Sequence, residues 1–201
     1  MDDRGQPCPP GAVTLDLGCG RRKARGSLGV DIAPSSVVDV LADFSQGLPF
    51  QDNTVDAMYA YHLLEHLDDF LAFMGEIWRV CKHDALVHVK VPHASSSFVT
   101  WKDPTHKRGL FIATFAYFDD TYFDGAAFSY YSPARFRIEK ARLNFSIHNP
   151  DSYFSFTRRL LNQAVHIMAN RSRKSQYLCE RFWGPLIGIE EAVLVLRALK
   201  E

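Results

Sequence analysis

The sequence has no apolar run approaching the roughly 18 to 20 residues that span a bilayer as a helix. It also has no excess of charge, since 23 Lys and Arg balance 23 Asp and Glu. The first lack excludes a helical membrane span; the second argues against the broad basic footprint that nucleic acid demands, so nucleic acid is not an expected partner. Cysteine is scarce. Cys8, Cys19, Cys81 and Cys179 show neither the paired spacing of a zinc site nor a framework of bridges, and they read as reduced thiols. Residues Met1 to Gln6 are polar and acidic where a secretory signal is basic and then apolar, so the expected location is cytoplasmic. Internal repeats and low-complexity tracts are missing too. What remains is 201 residues, 47% of them hydrophobic, which suits one domain with a full-sized core behind a flexible lead-in over 1–11.

The most informative segment present is Leu15-Asp16-Leu17-Gly18-Cys19-Gly20, an apolar strand that ends in a glycine turn and is answered by an acidic residue, Asp31. That pattern is how an open α/β sheet holds a nucleoside. A dinucleotide fingerprint also needs a third glycine three residues after the second, and an acidic residue about 20 residues further on. Lys23 occupies the first of those positions and Asp31 arrives too early. A nicotinamide-dependent reductase therefore fails on spacing, and a nucleoside without a diphosphate to cradle fits better.

Period-two and buried apolar runs predict strands over 13–17, 28–32, 37–41, 55–61, 86–91, 136–147 and 192–199. Between the fourth and fifth, Phe70, Phe73, Met74, Ile77 and Cys81 recur at helical spacing behind Asp68 or Asp69 as N-cap. Lys82-His83-Asp84 makes the turn that follows. A second helix is predicted from Tyr153 to about Asn170, ending in the basic run Arg171 to Lys174, which reads as a solvated helix end. The aromatic-rich stretch 111–131 predicts a short helix with a core layer or a lid. Alternating strands and helices imply a mostly parallel sheet with helices on both faces.

In order and spacing, five patterns resemble the Rossmann-like, class I S-adenosylmethionine-dependent methyltransferases of the type 11 group. They are Leu15–Gly20, Gly29-Val30-Asp31-Ile32, Ala42-Asp43 with Leu48-Pro49-Phe50, His62-Leu63-Leu64-Glu65-His66, and Glu76-Ile77-Trp78-Arg79-Val80-Cys81. The resemblance covers residues 13 to 110 best. It implies an α/β fold with a seven-stranded, mostly parallel sheet and an antiparallel last strand, with S-adenosylmethionine as cofactor and S-adenosylhomocysteine as product. Two departures stand out: Lys82-His83-Asp84-Ala85 replaces the usual Lys-Pro-Gly-Gly turn, and the helix after the glycine turn is shortened.

The resemblance also implies site residues at the carboxyl ends of the strands. Asp16 would help hold the methionine ammonium, and the Gly18-Cys19-Gly20 backbone would let the ligand lie close. Asp31, followed by Ile32, would accept the ribose hydroxyls, because an ionised carboxylate is acceptor-only. Asp43 would take the adenine amino group and Phe44 would pack on the ring, while Tyr61 and His62 would flank the reactive methyl. Cys19 reads as a small buried filler rather than a nucleophile.

Methyl transfer from a sulfonium is an in-line displacement whose chief demand is positioning, and a base is needed only where the acceptor must lose a proton early. His62 and His106 are the candidates for that base. His66, beside Glu65, reads as structural. His93, Asp103 and His106 match no ligand spacing, so no metal site is expected. The role of Asp103-Pro104-Thr105-His106-Lys107-Arg108 is not evident from its residues.

Two functions from different classes follow. One is methyl transfer to a small or medium-sized acceptor molecule recognised by segments 92–135 and 149–188. The other is a non-catalytic module that binds the cofactor or a partner. Monomer and homodimer are both left open.

Overall fold

The computed structural model describes residues 11–122, 130–145 and 156–200. The expected lead-in over 1–10, the aromatics Phe123 and Phe128, and the predicted helix start at Tyr153 lie outside the described residues. Strands β1 (Thr14–Leu17), β2 (Leu28–Asp31), β3 (Val40–Leu41), β4 (Val55–Tyr61) and β5 (Cys81–Pro92) pair in parallel. Strands β6 (Phe136–Phe145) and β7 (Ile189–Ala198) complete a seven-stranded sheet of order β3-β2-β1-β4-β5-β7-β6. The last strand in sequence, β7, runs antiparallel to both its neighbours. This is the mostly parallel Rossmann-like sheet expected, with helices around it.

Helix α1 (Phe70–Val80) shows why the local chemistry works. Asp69 caps it, its carboxylate accepting the Ala72 N–H at 2.9 Å. Phe70, Phe73, Met74, Ile77 and Val80 are buried on one face. At the far end Asn53 and Thr54 donate their N–H groups to the Arg79 and Val80 carbonyls at 3.1 and 2.9 Å, so the terminal acceptors are not left bare. Further helices follow: α2 (Ser97–Trp101), α3 (Ile112–Phe115), α4 (Phe156–Ala169), α5 (Arg173–Leu178) and α6 (Gly184–Ile187).

The sheet's two faces differ. Leu15, Leu17, Met58, Ala60, Val87 and Val89 occupy matching register positions and are fully buried; all but Ala60 fall in the main core with the inward face of α1. The alternate positions carry Asp16, Tyr59 and His88, with Tyr59 stacked on His88 at 4.9 Å and edge-on to Tyr61 at 5.7 Å. Phe115, Phe118 and Tyr122 from the aromatic-rich stretch are buried in the main core, so these residues form a core layer.

Several boundaries moved for identifiable reasons. The third strand shortens to two residues because Asp39 uses its carboxylate, not a main-chain carbonyl, to accept the Gly29 N–H at 2.7 Å. Pairing of β5 begins at Cys81 and then jumps to Leu86, so Lys82 to Asp84 stand out as a bulge, with Asp84 at φ 64°. The connections β1→β2 and β2→β3 contain no α-helix. The run Arg171–Lys174 is exposed just past the end of α4, as expected; Arg173 also opens α5, donates to the Ile138 carbonyl at 2.6 Å and lies over the Tyr122 ring.

Ile77 is fully buried between α1 and the sheet. Ile77→Ala is expected to lower the unfolding free energy by about 2–5 kcal/mol, seen in urea titration as a lower midpoint with an unchanged slope.

Candidate functional site

The strand order reverses between β1 and β4, and the chain leaving β1 departs in the opposite direction from the chain leaving β4. In an open α/β sheet that divergence opens a crevice at the strands' carboxyl ends. A cavity of about 690 Å³ lies there, lined among others by Gly18, Asp31, Ile32, Asp43, Phe44 and His62. Its size is within the ordinary range for a small-molecule site, about 300–1,000 Å³.

Each expected residue has a definite place. Gly18 and Gly20 are left-handed, at φ 63° and 57°, conformations that side-chain-bearing residues adopt at a cost. They let the turn fold back so that the Gly20 N–H donates to Asp31 Oδ2 at 2.8 Å. The other Asp31 oxygen accepts the Ala33 N–H at 3.0 Å, which fixes the carboxylate at the cavity wall. Asp43 caps a short 3-10 turn, Phe44–Gln46, accepting the Ser45 N–H at 2.9 Å, and Phe44 packs against Phe73 at 5.3 Å.

Four expected residues do not line the cavity: Asp16, Cys19, Gly20 and Tyr61. Asp16 is fully buried and its Oδ2 accepts the Ala24 N–H at 2.7 Å, closing the glycine turn from beneath. Burial, with Asp16 and then Asp31 nearby, raises the Cys19 thiol above its usual range, so it stays protonated. Tyr61 turns to the opposite face of the sheet, beside Tyr59 and Ala24.

Residues 11–89 match the family described as a methyltransferase domain. That stretch runs from just before β1 into β5. Solved structures with the same fold include an S-adenosylmethionine-dependent methyltransferase from Archaeoglobus fulgidus, at 19% identity and TM-score 0.55 over 93% of this chain and 86% of that one. The YcgJ protein of Bacillus subtilis is similar at 16% identity and TM-score 0.54, covering 96% of this chain and 94% of its own. The [4+2]-cyclase SpnF is similar at 20% identity and TM-score 0.54, over 95% of this chain and 76% of its own. No curated protein matches the sequence.

A second cavity, of about 630 Å³, adjoins the first; His62 and His66 line both. His62 is left-handed at φ 54°, an uncommon state for a non-glycine residue that sits just past β4. Its Nδ1 stands 3.4 Å from Glu65 Oε1 and its Nε2 stands 3.4 Å from Glu191 Oε1. Burial opposes its charge, yet the pairings with Glu191 and Glu65 prevail and raise its pKa to about 9. Glu191 is correspondingly held down to about 2: burial acts against the carboxylate, but His62 and Lys90 outweigh it.

The segment 103–108, opaque in sequence, is a clamp on the loop after β4. Lys107 N–H donates to the Glu65 carbonyl at 2.8 Å, the Lys107 ammonium pairs with Asp68, and Arg108 donates to the Leu67 and Asp68 carbonyls at 2.8 and 2.7 Å. His106 thereby faces Glu65, its Nε2 4.0 Å from Oε1. His93 does not join it; fully buried, it bonds Glu180 through Nε2 at 3.0 Å and Ser95 through Nδ1 at 2.8 Å.

Residues that sequence reasoning passed over are Glu65, read only as the neighbour of a structural histidine, and Glu191. A signal for the latter existed: Glu190-Glu191 stands directly before the apolar run Ala192–Leu196 of the closing strand. Glu76 lines the first cavity, and Arg79 holds its carboxylate. Arg79 donates to both Glu76 oxygens at 2.8 Å and to the Leu48 and Phe50 carbonyls at 2.9 Å, while Glu76 accepts the Leu48 N–H at 2.9 Å.

Arg79, with the Leu48 N–H, holds the Glu76 carboxyl below its ordinary 4.5. A carboxylate whose pKa is lowered on folding stabilises fully above its unfolded pKa and loses that contribution as pH falls through the folded one. The stability gap between the native protein and Glu76→Gln is therefore expected to be constant above about pH 5 and to shrink progressively below it, read by urea unfolding across pH.

Proposed function

We propose that the protein transfers a methyl group from S-adenosylmethionine to a small or medium-sized acceptor. The observation that carries this reading is Asp31: a carboxylate fixed by two backbone donors at the wall of the switch-point cavity, with acceptor capacity left for a diol. The donor set of the cavity fits a nucleoside with an amino-acid tail. Asp31 would hold the ribose hydroxyls. Phe44, with Ile32 and Leu63, offers apolar surface to an adenine, and Asp43 lies at the edge where its amino group would point. The Gly18–Gly20 turn allows close approach, with Cys19 as its buried filler. Asp16 acts through that turn rather than by contact, as a positioning residue, and Tyr61 supports the strand end from behind. When bound, the cofactor supplies a methyl on a positively charged sulfur.

The second cavity suits the acceptor. It is built by 92–106 and by Glu190 and Glu191 of β7, so the 92–135 segment supplies most of its wall. His62 stands at the seam between the two cavities as a charged group, and His106 presents a nitrogen toward Glu65 on the acceptor side. A cytoplasmic location belongs to the same reading. Among the described residues no helix is long and apolar enough to cross a membrane.

The likeness to a [4+2]-cyclase is a specific reason to keep a second reading, since one fold hosts unrelated chemistries. In that reading the protein binds the cofactor or a partner without transferring a methyl.

Calorimetry with S-adenosylhomocysteine, followed by product formation across an acceptor library, separates them: binding with turnover is expected, and binding without turnover on any acceptor favours the second. Asp31→Ala is expected to weaken S-adenosylhomocysteine binding about 10- to 100-fold, the value of one or two hydrogen bonds to a charged group. Unchanged affinity in a variant with native circular dichroism would overturn the ribose placement.

A further inference from the structure

The acceptor side holds a donor set that the methyl-transfer reading does not use. One ligand atom from each of Glu65, His66 and His106 lies within 4.8 Å of the others. Glu65 is 1% exposed, and neither of its carboxylate oxygens has a hydrogen-bond partner among the described residues. Burying an ionised carboxylate without such partners is costly, and a cation at that point removes the cost. The His62 imidazolium supplies charge to Oε1 from 3.4 Å but leaves Oε2 unengaged.

The two histidines are set for a ligand's role. The Thr105 hydroxyl donates its one hydrogen to Asp103 Oδ1 at 2.6 Å, so toward His66 Nδ1, 3.0 Å away, it accepts. His106 Nδ1–H donates to the Thr100 carbonyl, which has no hydrogen to give. Both neutral rings therefore carry their lone pair on Nε2. An outer partner on the far nitrogen is the usual device that orients a metal-binding imidazole. Asp103 Oδ2, 3.9 Å from His106 Nε2, adds a second carboxylate beside the set. Lys102 and His62 are the opposing cations in the cavity wall, against Glu65, Asp103, Glu190 and Glu191.

We propose that Glu65, His66 and His106 bind a divalent first-row transition-metal ion, with its open coordination position facing the acceptor cavity. Two imidazole nitrogens with one carboxylate oxygen form a three-ligand set that suits zinc and its neighbours and leaves room for a further oxygen. The acceptor class this selects is one that presents an oxygen. A Lewis acid would lower the pKa of a hydroxyl it binds, so the hydroxyl's proton would pass to solvent water as its oxygen takes the methyl, with no dedicated base needed. That role for the acceptor rests on the methyl-transfer reading; the metal site itself does not.

The test uses full-length protein stripped with chelator and desalted, titrated with Zn²⁺ by calorimetry and with Co²⁺ by visible absorption. One equivalent of Zn²⁺ is expected, weakened by about 100-fold or more in Glu65→Gln and His106→Gln and unchanged in His83→Gln, a control at an exposed histidine. If Glu65→Gln does not fold, His66→Gln at the half-exposed position carries the same expectation. No binding, or binding that survives in both ligand variants, overturns the proposal. S-adenosylhomocysteine titrated in parallel separates the two readings. Its binding without Zn²⁺ binding removes the metal site alone, and Zn²⁺ binding without it removes the cofactor reading alone.

Discussion

The constraint on which the rest depends is the divergence of the chain at adjacent strands β1 and β4. Two neighbouring parallel strands whose continuations leave in opposite directions cannot close over their own ends, so the sheet keeps a crevice there. Five lining residues of the first cavity stand at that edge: Gly18 after β1, Asp31 at the end of β2, Asp43 and Phe44 after β3, and His62 after β4. The main core packed against one face of these same strands makes the edge rigid. Leu15, Leu17, Met58, Val87 and Val89 are packed without exposure, and carboxylates a few residues later inherit that fixity.

The site is also held by polar groups that bind backbone rather than ligand. Asp16 bonds Ala24, Asp31 bonds Gly20 and Ala33, Asp39 bonds Gly29, and Asp43 bonds Ser45. Each replaces a secondary-structure ladder that the short, helix-free connections cannot provide. The 103–108 clamp does the same for the loop after β4 with main-chain and cationic donors. It brings His106 to Glu65, and the loop in turn places His62 between Glu65 and Glu191. Two adjoining cavities with a charged seam result, those proposed above for the cofactor and the acceptor.

Much of this was legible in advance, and the reasons are local. Asp69 and the apolar spacing behind it specify α1, because capping and burial periodicity are short-range. The β1 turn and Asp31 are legible because strand ends in this sheet type carry their ligands at set intervals. The third strand was overextended because a side-chain acceptor can stand in for a ladder bond, which no apolar pattern records. His93 illustrates the limit from the other side. Like His106 it stands in the segment after β5 that the sequence leaves without a partner, but Glu180, from far along the chain, bonds its ring.

The sequence by itself determined the sheet's run of strands, the main helix and the glycine turn with its acidic partner Asp31, since propensity, capping and glycine turns act over a few residues. Only the tertiary structure decided which charged groups meet. Glu191 reaches His62 because β7 inserts antiparallel beside β5, and Glu65 is stranded among His62, His66 and His106 because one loop is clamped on another. Electrostatic partners are chosen by proximity after folding, and residues separated by scores of positions carry no sequence mark of it.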